Sequence, residues 1–391
     1  MTAVTNGVHP RPRRVPSGLS LAALLFAVAC GDGNGNGVMR APPPVAGPER
    51  WAQVTADIEP KVTASYAETF GEPVRQPLST TGTVEQLRIS RDGRYLYAGY
   101  SPTDLVSWRA FVGENPDLPF CELFGTRAFL RDYAPTFGID MVSNEFGCPA
   151  FVNIDIVVSE RVSPEDAFET WQRADIAVPG RQQRGPAPLS SPVDPERLDF
   201  FVFTRDNLML ELRDTPPRPA EVGRAEPLPE PLNPFRDDFS VASPQIERLR
   251  DGRLLLLFER FVDPELRFFT FAFSEDDGLT WTLPMAMTTI SPALGRIEHP
   301  HLHLDPTTAA FSLYFTLDCD IYRAPQLIAD SFDSWGTPDP VMLRGNAACL
   351  ADPSLTADGD LSFSVVVEDP DPPDPDDRFL ADPWFSPRIG F

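Results

Sequence analysis

The chain has 391 residues and a formal net charge of −24, with 57 acidic residues against 33 basic ones. This acidity argues against nucleic acid or an anionic lipid surface as a ligand. No segment beyond the N-terminus is apolar enough to cross a membrane as a helix.

The N-terminus has the features of an export signal. Three arginines before residue 15 precede an apolar stretch over 19–29, which is too short to span a bilayer. The small residues of Ala27-Val28-Ala29-Cys30 resemble the bacterial lipobox, which implies lipidation of Cys30; ordinary cleavage that leaves a free Cys30 is the alternative. We therefore expect a signal peptide at 1–29, a flexible Gly/Asn/Pro-rich tether at 30–60 and an exported, lipid-anchored domain at 61–391. By resemblance to enterobacterial lipoprotein sorting, Gly31 rather than an acidic residue after Cys30 implies the outer membrane.

Turn residues recur along the rest of the chain. Asp92-Gly93, Asp251-Gly252 and Asp358-Gly359 are separated by 159 and 107 residues. These intervals are close to multiples of about 53, a period typical of repeat folds. The same period predicts turns at Phe146-Gly147, Asp194-Pro195 and Asp305-Pro306. Aromatic and β-branched runs follow five of the six turns, and such runs predict strands; they lie at 95–97, 199–203, 254–258, 311–315 and 361–367.

Strand runs without amphipathic helices predict an all-β protein, a six-bladed β-propeller, with five or seven blades as alternatives. Trp281 and Trp335 mark an outer strand that packs between blades. The last blade lacks this marker, but Phe70-Gly71-Glu72-Pro73 carries a similar one near the N-terminus. Residues 61–78 are therefore predicted to complete the C-terminal blade and close the ring, which removes an exposed sheet edge.

One octapeptide carries a family resemblance. Ser274, Asp276, Gly278 and Trp281 fit the Asp-box of sialidase-type propellers, in which the box is structural and lies away from the active site. The Asp-Gly turns and the 320–324 stretch resemble the TolB-like propeller repeat. Both resemblances imply a propeller and say little about a substrate.

Four cysteines remain in the exported part: Cys121, Cys148, Cys319 and Cys349. An even number in an oxidising compartment predicts two disulfides, and four cysteines allow three pairings. We favour Cys121 with Cys148 and Cys319 with Cys349.

Three of the four histidines lie together at His299, His301 and His303. In a strand they share a face, opposite Leu302, and the repeat places this strand innermost, beside the central channel. Polar channel lining that binds a ligand is the favoured interpretation. A zinc site is the alternative, but it needs a further ligand from another strand, so no metal or other cofactor is predicted.

Two carboxylates are weak catalytic candidates. Glu298-His299-Pro300-His301 loosely resembles the Glu-x-Pro-His of arabinanase-type glycosidases, which implies a general acid at Glu298; Asp352-Pro353 resembles their Asp-Pro base motif, although its order along the chain differs. We therefore expect a monomeric, non-catalytic module that binds a protein, peptide or glycan. The alternative is a secreted glycoside hydrolase of the sialidase-like or arabinanase-like type.

Overall fold

The computed structural model describes residues 53–389 except for 55, 58–59, 66–68, 79–82, 102–153, 175, 177–182, 206–207, 220–223, 234–239, 262–265, 307 and 372–377. Strands dominate this part of the chain, so the all-β prediction is confirmed. The strands are β1 Thr63–Ala64, β2 Val74–Arg75, β3 Thr83–Ile89, β4 Tyr95–Ser101, β5 Asp155–Glu160, β6 Gln172–Arg173, β7 Gln183–Ser190, β8 Leu198–Arg205, β9 Leu208–Thr215, β10 Glu226–Pro227, β11 Ser240–Arg248, β12 Leu254–Phe261, β13 Arg267–Ser274, β14 Met285–Ala286, β15 Ile297–Leu304, β16 Phe311–Leu317, β17 Asp320–Pro325, β18 Asp339–Leu343, β19 Cys349–Leu355, β20 Leu361–Glu368 and β21 Phe379–Ser386.

The strands form five antiparallel up-and-down groups. Sheets 1 to 4 are β3–β6, β7–β10, β11–β14 and β15–β18, and sheet 5 is β19–β21 with β2 at its outer edge. One parallel pair, Ala381 with Thr83, joins sheets 5 and 1. The first strands of the sheets, β3, β7, β11, β15 and β19, contact one another in cyclic order. Apolar clusters between neighbouring sheets form the core.

The described strands do not form the six groups that the period predicts. A sixth would have to begin near Phe146-Gly147, which lies outside the described residues. Instead, β5 pairs with β4 along its whole length, from Tyr95 with Glu160 to Tyr100 with Asp155. Residues 155–160 are therefore the third strand of sheet 1, and the described part of the interval from Gly93 to Gly252 contains one further sheet.

The other five predicted turns all separate the first and second strands of a sheet, and each strand run predicted after them lies within a second strand. We call this end of the first strands the turn end. The Asp-Gly turns depend on glycine because Gly93, Gly252 and Gly359 have φ angles of 72°, 90° and 92°.

The N-terminal segment runs along the outer edges of sheets 4 and 5. Thr63 and Ala64 pair with β18, and Val74 and Arg75 pair with β21. Phe70 forms a bridge with Arg388. Val54, inside the segment predicted as a tether, is buried in the cluster between sheets 4 and 5, so ordered packing begins before residue 61.

The Asp-box forms the hairpin between β13 and β14. Asp276 accepts hydrogen bonds from the Thr280 backbone N–H (2.8 Å) and hydroxyl (2.7 Å), and Trp281 packs between sheets 2 and 3. Trp281 Nε1 donates to the carbonyl of the residue three positions earlier, and Trp335 does the same in sheet 4. The two predicted outer markers, Trp281 and Trp335, therefore make the same local hydrogen bond in two sheets.

Cys319 and Cys349 form a disulfide, as predicted, and join the tip of sheet 4 to the start of β19. Cys121, Cys148 and Cys30 lie outside the described residues. No helix in the described ranges is long and apolar enough to span a membrane.

Candidate functional site

Each first strand contains a β-bulge near the same level, and one residue in each bulge has a left-handed backbone. We call these five residues the bulge ring: Gln86, Gly185, Ser243, His299 and Asp352, with φ angles of 56°, 66°, 49°, 54° and 55°. A left-handed non-glycine residue is strained and persists only where its surroundings hold it, commonly at functional sites. The ring marks one end of the first strands as the bulge end, opposite the turn end.

Proline explains where the bulges form. Four of the five ring residues precede a proline, in Gly185-Pro186, Ser243-Pro244, His299-Pro300 and Asp352-Pro353. Proline has no N–H for the strand ladder, so within a sheet it is found at edges and bulges. The bulge then turns the preceding side chain away from strict alternation, toward the axis of the five sheets.

Side chains two positions after the ring residues connect the first strands. Gln245 accepts a hydrogen bond from Leu302 N (2.6 Å), His301 Nε2 accepts one from Leu355 N (3.0 Å), and the Ser354 hydroxyl accepts one from Ile89 N (3.0 Å). These contacts join sheets 3 to 4, 4 to 5 and 5 to 1. In each contact, a side chain of one sheet satisfies a backbone N–H of the next sheet, which would otherwise lack a hydrogen-bond acceptor.

Arg88 lies two residues after Gln86, the corresponding position in sheet 1, but its side chain donates hydrogen bonds instead of accepting one. Its guanidinium, in a residue only 3% exposed, reaches the carbonyls of Leu87 (3.1 Å), Ser243 (3.3 Å) and Pro300 (3.1 Å). Burial lowers the pKa of Arg88 to about 10, although the nearby carboxylates of Asp352 and Glu259 act against this shift. Arg88 therefore places a positive charge near the axis and links sheets 1, 3 and 4.

The candidate general acid Glu298 is held between two arginines. Its carboxylate pairs with Arg267 and, at 3.1 Å, with Arg296. Arg267 also pairs with Glu259 on β12, with Nη1 to Oε2 at 3.3 Å. Burial alone would raise the pKa of Glu259, but His299, Arg267 and the Ser243 hydroxyl outweigh it, so the pKa is lowered. These two carboxylates are thus tied to cations.

The candidate base Asp352 lies on the other side of His299. His299 Nε2 is 3.4 Å from Asp352 Oδ1, and the Ser364 hydroxyl donates to Asp352 Oδ2 at 2.9 Å. Burial raises the pKa of Asp352, against the effects of His299, Ser364 and Arg88. The backbone N–H of His299 also donates to Glu259 Oε1 at 2.7 Å. His299 therefore connects Asp352, whose pKa is raised, with Glu259, whose pKa is lowered.

Polar atoms of the ring lack partners. Gln86 Oε1, His299 Nδ1 and Asp352 Oδ1 are buried and make no hydrogen bond within the described residues. Gly185 adds no side chain, and a Cβ there would lie 2.9 Å from Gln86 Oε1. Buried polar groups without protein partners usually bind water or a ligand. The ring can therefore offer both acceptor and imidazole groups to a polar ligand.

The three histidines have different roles. The bulge between Glu298 and His301 interrupts the alternation from which a shared face was predicted. His301 and His303 keep the alternation opposite Leu302, which is buried between sheets 3 and 4, whereas His299 faces Asp352. The described residues contain no cluster of three or more potential metal-ligating side chains.

Sequence reasoning missed Arg88, Glu259, Gln86, Gly185 and Ser243. The X-Pro pairs were a usable signal for two of them, because Gly185, Ser243, His299 and Asp352 follow one another at 58, 56 and 53 residues. Arg88 and Glu259 have no such marker, since their role depends on contacts between sheets.

No protein-family model and no curated protein matches this chain. Solved structures that resemble it include an endo-arabinase from Bacteroides thetaiotaomicron, with 12% identity, a TM-score of 0.46 and coverage of 81% of this chain and 97% of that one. An α-L-arabinofuranosidase from Podospora anserina has 8% identity and a TM-score of 0.47, with coverage of 83% of this chain and 98% of that one. A thermostable family-43 glycoside hydrolase has 10% identity and a TM-score of 0.45, with coverage of 81% of this chain and 93% of that one. These matches are too distant to indicate an activity, and the comparisons give no support to the TolB-like resemblance.

Proposed function

We propose that this protein is a non-catalytic binding module, a closed five-bladed propeller whose bulge ring binds a polar group of a glycan, peptide or protein. The observation that carries the proposal is the ring itself. Four strained positions and one glycine at one level are combined with buried polar atoms of Gln86, His299 and Asp352 that make no hydrogen bond to any described residue. Strain of this kind is typical of ligand sites.

The carboxylates favour binding over hydrolysis. A glycosidase needs one carboxyl group that can protonate the leaving oxygen and a second that can attack or activate water. Glu298 is engaged by Arg267 and Arg296, and Glu259 is fully buried with the same Arg267. Neither group is available to a substrate in this arrangement.

The binding proposal can be tested with a matched pair of substitutions. The mature chain is screened on glycan and peptide arrays, and the affinity of each hit is measured by calorimetry. Asp352→Asn removes a charge from the ring and should weaken binding by about tenfold or more, the effect of losing one charge-assisted hydrogen bond. Asp358→Asn, at an exposed turn at the opposite end, should change the affinity by less than about twofold. Equal affinities of the two variants, or an absence of any hit, would reject the proposal.

Glycoside hydrolysis is the second candidate function. It is favoured by the opposed pKa shifts of Asp352 and Glu259 around His299, since paired groups of raised and lowered pKa are typical of acid–base sites. The resembling arabinases suggest aryl arabinofuranosides as probes, and a leech trans-sialidase of TM-score 0.39 suggests an aryl sialoside. Release of the aryl group that Asp352→Asn abolishes would establish this alternative.

We also propose that the protein is a monomer in the cell envelope, anchored through a lipid on Cys30 in the outer membrane. The Lys61 N–H donates to Asn346 Oδ1 at 2.6 Å, and Asn346 lies just before β19, at its bulge end. The chain from Cys30 would therefore join the domain at the bulge end. Cys30→Ser should move the protein from the detergent phase to the aqueous phase in a phase-partition assay, and unchanged partitioning would contradict lipidation.

A further inference from the structure

A small pocket opens on the turn-end side of the bulge ring, where its lining begins two residues beyond His299. Its polar lining includes Arg91 of sheet 1, Glu247 of sheet 3, His301 and His303 of sheet 4, and Thr356 of sheet 5. The space accommodates about one water-sized particle. Four of the five sheets contribute to it, so it lies close to the axis.

Two nitrogen atoms in this lining have no partner. His301 Nδ1 and His303 Nε2 are buried and make no hydrogen bond to any described residue, and each histidine is 5% exposed. His301 Nε2 accepts the Leu355 N–H, so the neutral ring carries its proton on Nδ1. The free atom of His301 is therefore a donor and calls for an acceptor. This also argues against a metal cation at that atom, which would need an unprotonated nitrogen.

The charges around the two histidines are mainly positive. After burial, the charges of Arg88 and Arg91 lower the pKa of His301, and those of Arg388, Arg91 and Arg323 lower the pKa of His303, against the effect of Asp305. Asp305 is paired with Arg388 at 2.9 Å. Glu247 is occupied on both oxygens, by Arg91 at 3.1 Å and by Gln245 at 3.0 Å.

Arg88 adds a further positive charge, whose hydrogen bonds within the described residues go to carbonyls and whose nearest compensation comes from Asp352 and Glu259 on the bulge-ring side. Among the charged groups that act on the two histidines, arginines thus outnumber carboxylates, inside a protein of net charge −24. A positive interior site with unsatisfied donors favours an anion.

We propose that this pocket is an anion site that holds one monatomic anion of the halide class. The anion accepts a hydrogen bond from His301 Nδ1 and selects the His303 tautomer that has its proton on Nε2. Arg91 supplies charge on the solvent side. A monatomic anion matches the space, which accommodates about one water-sized particle. The site is distinct from the bulge ring, although Arg88 contacts both regions.

Thermal unfolding in different salts tests the site on the full mature chain. Sodium chloride should raise Tm by about 2 °C or more over sodium gluconate at equal ionic strength, because an anion that binds only the folded state stabilises it. Chloride-35 line broadening should show a bound fraction that bromide displaces. Equal Tm values in both salts, or no broadening, would mean that the pocket holds water only and would overturn the proposal.

Matched phenylalanine substitutions locate the effect. His303→Phe keeps a ring beside Tyr314, with which His303 makes an edge contact at 6.3 Å between centroids, but it removes the nitrogen. It should abolish the chloride-dependent difference in Tm. His299→Phe, at the bulge end, should retain it. Because each variant is compared with itself in two salts, a change in its basal stability does not affect the result. Persistence of the difference in His303→Phe would refute the assignment.

Discussion

At the residue scale, Arg88 shows how a single buried charge connects separate sheets. It is paired by hydrogen bonds to carbonyls of three sheets rather than by a direct contact with a carboxylate, while Asp352 and Glu259 compensate its charge from a greater distance. Nothing in the local sequence distinguishes Arg88 from the other arginines, and this is why sequence reasoning could not find it. Its importance depends on which strands meet at the axis.

Arg88→Met should therefore be strongly destabilising. It leaves the Ser243 and Pro300 carbonyls without this donor and removes the positive charge that faces Asp352 and Glu259. We expect the free energy of unfolding to fall by about 3 kcal/mol in urea titrations. Arg250→Met removes the same charge from an exposed turn and should cost less than about 0.5 kcal/mol. Similar losses in both variants would argue that Arg88 does not connect the sheets.

His303 predicts a dependence of stability on pH. Burial, followed by the charge of Arg388, lowers its pKa to about 4 in the folded protein, against about 6.5 in the unfolded chain. The unfolded state thus binds more protons between these values. Stability should be complete above about pH 6.5 and decrease by about 3 kcal/mol as the pH falls to 4. Glu247 and Asp352, whose pKa values are raised, act in the opposite direction.

The contribution of His303 is isolated by subtracting the pH profile of His303→Phe from that of the wild type. The difference in the free energy of unfolding should change sharply between pH 6.5 and 4 and be flat above 6.5. A difference that stays constant over the whole range would contradict the lowered pKa.

At the element scale, the first strands are built as bulged strands. The turn residues and the aromatic runs predicted the second strands correctly, because those signals are local. The bulges depend on an X-Pro pair that recurs at intervals of 53 to 58 residues. In the sequence, two of these pairs, His299-Pro300 and Asp352-Pro353, were noted for their resemblance to catalytic motifs, and that resemblance did not reveal the bulges. Among the described strands, the interval from Gly93 to Gly252 gives one further sheet where the period predicts two, because β4 and β5, on either side of 102–153, pair with each other.

Gly185 tests the packing at the ring. A Cβ at Gly185 would lie 2.8 Å from Pro244 Cδ and 2.9 Å from Gln86 Oε1, and φ is 66°. Gly185→Ala should cost both backbone strain of about 1 kcal/mol and overpacking of about 1–3 kcal/mol. Gly252→Ala has φ of 90° but nothing within 4 Å, so it should cost only the strain. Urea unfolding of both variants measures the difference, and equal losses would mean that the space over Gly185 is not filled.

At the scale of the whole molecule, the sheets contact one another in a cycle, yet sheet 5 is assembled from both ends of the chain. The pairing of β2 with β21 and the bridge between Phe70 and Arg388 bring together segments about 300 residues apart. The spare Phe70-Gly71-Glu72-Pro73 marker predicted this neighbourhood because a repeat that lacks its outer strand must complete it from elsewhere.

Two deletions in the mature chain test this arrangement. Removing 61–78 takes away β1 and β2 together with Phe70 and Leu78, which are almost fully buried, and exposes the edges of sheets 4 and 5. We expect a lower Tm, by about 10 °C or more, and aggregation through the exposed edges. Removing 32–47 deletes only Gly-, Asn- and Pro-rich chain and should leave Tm unchanged within about 1 °C, since such a composition buries little apolar surface. Light scattering during the thermal scan distinguishes aggregation from simple unfolding. Equal Tm values for the two deletions would show that the N-terminal segment does not close the ring.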